Sequence, residues 1–144
     1  MVWFRAVAAV LLGAIVGSMV NMGLIISGSS IISAPEGVDI TQAESIAANI
    51  HLFEPMHFLF PFLAHALGTL AGAVAAALVA PFHRMRFALG IGVLFLAGGI
   101  ANTFMIPAPA WFLGVDLLLA YLPMGFLGGI VVERLLGREA ATRD

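Results

Sequence analysis

FLFPFLAHALGTLAGAVAAALVA (58–80) decides the fold of this chain, because no Asp, Glu, Lys or Arg interrupts it. About 20 mostly apolar residues in a helix cross a bilayer core of about 30 Å, so the stretch reads as a membrane span. Its small residues are ordered. Ala64, Gly68, Gly72, Ala76 and Ala80 recur every fourth position and fall on one helical face. In lipid, helices associate through close approach of such small faces rather than through hydrophobic burial. The stretch therefore predicts a helix that crosses the membrane and packs tightly on one side.

Three more segments have the length and apolarity to cross. The expected spans are about 2–26, 55–80, 87–106 and 111–135 in a single domain covering 1–144, with a loop over 27–54. The composition agrees: 62% of the 144 residues are hydrophobic and 10% are charged, too few charges to clothe a soluble surface. The mean hydropathy is +1.09. The run after Arg5 exceeds a typical signal-peptide core and no clean cleavage site follows, so it is expected to stay as the first span. Cysteine and lysine are absent, which excludes thiolate metal sites, disulfides and Schiff-base chemistry. A formal net charge of −2 gives no basic surface for nucleic acid.

Arg5, Arg84, Arg86, Arg134, Arg138 and Arg143 fall at the N-terminus, in the second loop and in the C-terminal tail. The first loop carries Glu36, Asp39 and Glu44 with no basic residue. The positive-inside rule then places both termini in the cytoplasm and the first loop outside. In that loop TQAE (41–44) has capping-box spacing and predicts a helix after Thr41. Ala43, Ile46, Ala47, Ile50 and Phe53 share one face, as in an amphipathic helix lying at the interface. Pro55 breaks the helix before Glu54 or kinks one long helix over 41–80; both readings are open.

Gly13 and Gly17 in the first span, Gly68 and Gly72 in the second, and Gly125 and Gly129 in the fourth are the expected helix-packing positions. They serve packing within one bundle or between copies in a homo-oligomer. Trp3 and Trp111 read as interfacial anchors, and Pro123 as a kink in the fourth span.

Polar residues gather in one layer. Depth counted from the arginines puts Asn21, His65, Asn102 and Thr103 in the outer half, and His51, Glu54, His57 and Asp116 near the outer interface. Ionisable groups at such depth face the bundle interior or a cavity. Glu54, His57, Pro61, His65, Gly68, Thr69 and Gly72 share one face of the second span, expected to look toward Asn21, Asn102 and Asp116. Four chemistries fit that layer. It could be a hydrogen-bonded layer fixing helix register, with Glu54 or Asp116 paired to a histidine. It could be a metal site, since Glu54 and His57 form a Glu-x-x-His pair that a third ligand from His51, His65 or Asp116 would complete around zinc or iron. Haem is a weaker case, because His57 and His65 on one helix cannot grip it from both faces. The remaining two are a proton or small-molecule pathway and an outward-opening ligand pocket.

APEGVD (34–39), LAHALGTLAGAVAA (63–76) and GGIANTFMIPAPAWFLGVDLLLAYLPMGFLGG (98–129) resemble a family of small bacterial four-span inner-membrane proteins. The resemblance implies a multi-pass protein of the bacterial inner membrane and no activity, cofactor or substrate. The expectation is thus an all-α, four-transmembrane-helix bundle with a short extracytoplasmic amphipathic helix. Its expected role is a non-enzymatic accessory or ligand-binding subunit. A metal-binding protein is the first alternative and a small transporter or channel the second. The expected partners are the lipid bilayer and a second copy or another membrane protein.

Overall fold

Proline divides this chain into its elements. Pro35, Pro55, Pro81 and the Pro107–Pro109 pair each fall between helices or on a first turn, where a missing N–H costs least. The computed structural model describes residues 1–141, with the side chains of 138–141 left out. Its helices are α1 (Val2–Ile31), α2 (Ala43–Asn49), α3 (Leu59–Val79), α4 (Arg84–Met105), α5 (Ala110–Leu119) and α6 (Leu122–Ala141). Two 3₁₀ turns, Ile50–Leu52 and Pro55–Phe58, join α2 to α3. Four helical segments are long and apolar enough to cross a membrane: Val2–Ile31, Pro55–Val79, Arg84–Met105 and Ala110–Gly137. The chain is an all-α multi-pass membrane protein, and no strand occurs among the described residues.

α1 runs past the expected boundary at residue 26. The hydroxyls of Ser29 and Ser30 donate back to the Ile26 carbonyl at 2.8 and 3.3 Å, so the polar SGSS run satisfies itself within the helix. Gly28 also lies against the Phe60 ring, where any side chain would collide. The chain between Thr41 and Pro55 differs from expectation too. α2 begins at Ala43 with no side-chain cap, because Thr41 turns back to bond Asp39 instead. α2 ends at Asn49 and the backbone is extended at Phe53 and Glu54, so α2 and α3 are separate helices.

α3 is the hub: α1, α4 and α6 all pack on it, while α1 meets α4 only sparsely. Glycine sets the α1–α3 approach. A methyl group at Gly13 would stand 2.7 Å from the Gly72 carbonyl oxygen, and one at Gly17 would stand 2.8 Å from that of Gly68. Gly125 meets Gly92 of α4, and Gly129 meets Met85 and Ala88. All six expected packing glycines thus sit at helix contacts within one chain. Ala73, Ala76, Ala77, Ala88, Ile91 and Val132 close the core between α3, α4 and α6.

The ends of the bundle differ in chemistry. At one end Arg84 Nη1 donates to the carbonyls of Ala77 and Leu78 at 2.8 and 2.9 Å, and Arg5 Nη2 to that of Val79 at 3.3 Å. These cations satisfy the last free carbonyls of α3 and oppose the negative end of its dipole. The reversal from α3 into α4 is tight, with His83 in the left-handed region at φ 43°. Arg143 lies outside the described residues, as does the side chain of Arg138. The other end carries residues 32–58 and the 106–109 turn, so the bundle has an arginine end and a loop end.

The fourth span is broken. Ala120 and Tyr121 interrupt it because Pro123 has no N–H to give Leu119, and its ring crowds that carbonyl. The break lies a turn ahead of the proline and swings Tyr121 into the bundle, where it is 2% exposed.

Candidate functional site

The break in the fourth span and the face of α3 meet at three side chains. His65 Nδ1 lies 2.9 Å from both Asp116 carboxylate oxygens, and the Tyr121 hydroxyl donates to Asp116 Oδ2 at 3.0 Å. The Tyr121 and His65 rings stack at 5.7 Å with 29° between planes. Gly99 of α4 makes room, since a methyl there would lie against the Tyr121 hydroxyl. Asp116 is only 4% exposed. A carboxylate at that burial needs opposing charge and donors, and His65 and Tyr121 supply them. Thr69 completes the cluster by donating to the His65 carbonyl at 2.7 Å.

His65 Nε2 has no protein partner, yet no buried side-chain nitrogen or oxygen lacks one among the described residues. Nε2 is therefore accessible, and His65 lines two adjoining cavities. One, of about 290 Å³, lies at the loop end and is mostly apolar. Phe58, Phe60 and Phe112 form its walls, and Ile40, Ile46, Ile50 and Phe53 roof it. Three positions of the expected amphipathic face, Ile46, Ile50 and Phe53, therefore turn onto the cavity, while Ala43 and Ala47 stay exposed. The other, of about 540 Å³, lies between α1 and α4 over the face of α3 and is lined by Asn21, Asn102, Thr69 and Tyr121. Ile25, Gly99, Asn102 and Ile106 border both.

The expected polar face of the second span is brought together only in part. His57, Pro61 and His65 line the loop-end cavity, with Asn102 and Asp116 across from them. Asn21 lines the second cavity. Glu54 and His51 are exposed and line neither. The reason is local: residues 55–58 form a 3₁₀ turn after an extended Glu54 at ψ 161°, so the α-helical spacing assumed for that stretch does not apply. His57 instead caps its own turn, with Nδ1 accepting the Glu54 N–H at 2.9 Å. The Glu-x-x-His stretch thus forms a helix start, and no group of three His, Asp or Glu side chains able to hold a metal occurs among the described residues.

Proton arithmetic limits what the site can do. His57 accepts on Nδ1, which leaves its hydrogen on Nε2. The His65–Asp116 pair shares one bridging proton and is uncharged overall only when His65 Nε2 also carries hydrogen. Among the described residues no arginine lines either cavity. In that uncharged state the loop-end cavity presents two imidazole N–H donors and the Asn102 amide among aromatic walls.

Tyr121 is the residue that a reading of the sequence passes over. Its signal was there: the chain's single tyrosine stands in an apolar span, five residues after Asp116 and two before Pro123. The chain matches no family model, and no curated protein or solved structure matches it.

Proposed function

We propose that this chain is a non-enzymatic, ligand-binding protein of the bacterial inner membrane, with its loop end facing the extracytoplasmic side. The ligand is a small, uncharged, largely apolar molecule held through a hydrogen-bond acceptor such as a carbonyl. One observation carries the reading: His65, braced by Asp116 and Tyr121, lines an apolar cavity of about 290 Å³ with its Nε2 unpartnered. Ligand sites are mostly apolar clefts with a few fixed polar groups, and this cavity is at the small end of their range. Arg5 and Arg84 at the far end support the orientation through the positive-inside rule. The alanine-lined core toward that end supports binding over passage, because it offers no polar route onward.

The test uses protein in lipid nanodiscs with acetophenone and with ethylbenzene, which lacks the carbonyl. A hydrogen bond from a buried donor contributes about 1.5 kcal/mol, so acetophenone is expected to bind about tenfold tighter after correction for lipid partitioning. His65→Phe should erase that preference. Equal binding of the two probes by the unmodified protein, or a preference that survives His65→Phe, overturns the reading.

A further inference from the structure

We infer that the ligand is a bilayer-dissolved quinone: its ring sits at His65 and its tail leaves sideways between α1 and α4. The inference rests on the binding reading above and adds the ligand's class and its route. Three observations carry it.

The first is the number of donors. His57 and, in the uncharged His65–Asp116 pair, His65 each bring an Nε2 hydrogen to the loop-end cavity, and the Asn102 amide adds more. A ligand with one acceptor would leave donors bare in an apolar site, which is costly. A flat ring with two opposed carbonyl oxygens serves them, and Phe58 and Phe112 offer it aromatic faces. The second is charge. With no arginine on either wall and a carboxylate behind His65, a phosphate or carboxylate head is poorly matched, whereas a neutral quinone is not.

The third is the shape of the approach. Residues 32–58 roof the loop-end cavity with isoleucine and phenylalanine, while α1 and α4 barely touch alongside it. The cavity between them borders His65 and ends at exposed residues, Ser18 and Met22 on α1 and Gly98 on α4. A methyl group at Gly98 would meet nothing within 4 Å, so that wall is open space. In a spanning protein this side faces hydrocarbon, and an apolar tail is what it admits. Asn21 and Asn102 stand in that gap with no side-chain partner among the described residues, and polar groups at such depth are costly unless something satisfies them.

The experiment compares decylubiquinone with 2,3-dimethoxy-5-methyl-1,4-benzoquinone, the same ring without the tail, on protein in nanodiscs. The absence of cysteine keeps both quinones from forming thiol adducts with the chain. At equal concentration in the lipid phase the tailed form should bind at least tenfold tighter. Gly98→Leu fills the gap from α4, and Ser18→Phe fills it from α1. Each should remove the advantage of the tail and leave binding of the tailless ring within twofold, with the thermal transition of the protein unchanged. A tail advantage that is absent in the unmodified protein, or that survives both substitutions, overturns the route. Equally tight binding of 2-dodecanone overturns the quinone assignment. If acetophenone binds through His65 and neither quinone does, this inference falls and the binding reading stands; if none of the probes binds, both fall.

Discussion

Replacing Asp116 alone should damage this protein more than replacing Asp116, His65 and Tyr121 together. Asp116→Leu keeps roughly the same volume but strands two donors, the Nδ1 hydrogen of His65 and the Tyr121 hydroxyl, both held within 3.0 Å in the native cluster. An unsatisfied buried donor costs about 1–3 kcal/mol, and breaking a buried pair from one side costs about 3–5 kcal/mol. Side-chain hydrogen bonds in membrane bundles are weaker than that, averaging about 0.6 kcal/mol. Two such bonds plus stranded donors give about 3 kcal/mol, roughly a hundredfold in the unfolding equilibrium. The triple variant Asp116→Leu, His65→Phe, Tyr121→Phe leaves nothing stranded, since apolar replacement of a whole buried polar cluster is near neutral. Unfolding in mixed micelles, followed by circular dichroism, should place the triple variant within about 1 kcal/mol of the native protein and the single variant well below both. Equal stability of Asp116→Leu and the native protein would refute the reasoning, as would a triple variant weaker than the single one. The expected ordering would mean that the cluster is kept for what it holds rather than for the fold.

Two further outcomes test the packing and the loop. Gly72→Val forces branched methyls to where a Cβ already lies 2.6 Å from the Gly13 carbonyl oxygen, and should cost about 2–3 kcal/mol as α1 is pushed off α3. Gly90→Ala meets nothing within 4 Å and should gain up to about 1 kcal/mol in the same unfolding measurement, through helix propensity. In the loop, the Thr41 hydroxyl and then the Thr41 N–H hold the Asp39 carboxyl below its ordinary value of 3.8. A depressed carboxylate stabilises the folded loop above that ordinary value and loses the contribution as pH falls through the lower, folded value. The Thr41 amide proton resonance should therefore titrate with a midpoint below 3.8, and Thr41→Val should move that midpoint up; a midpoint unmoved by Thr41→Val would exclude the bond as the cause.

Much of the architecture was legible because lipid imposes simple rules. Span length follows from bilayer thickness, and four-residue spacing of Gly and Ala marks close helix contacts, so the spans and all six packing glycines could be read from the chain. Asp116 and His65 were legible as members of one layer for the same reason: ionisable groups in hydrocarbon must face inward. The misses each have their own local cause. Glu54 and His57 were placed by extending α-helical spacing through Pro55, where the backbone is 3₁₀ and extended. Thr41 was read as a cap, although Asp39 two residues earlier competes for its hydroxyl. Tyr121 owes its place to the break that Pro123 makes one turn upstream, a tertiary consequence that no periodicity encodes.

The lopsided packing of α1 bears on how the protein is made. α1 precedes α3 in the chain, yet among the described residues its extensive contacts lie on α3, which follows after the whole of the first loop. Until then Gly13 and Gly17 are covered by nothing but lipid tails, and the helix waits alone. The other spans need no such delay, for α3, α4 and α6 meet one another across an alanine core as they emerge. The cover arrives with α3 itself, so the glycine seam can close one side of the space beside His65 as soon as two spans are in place.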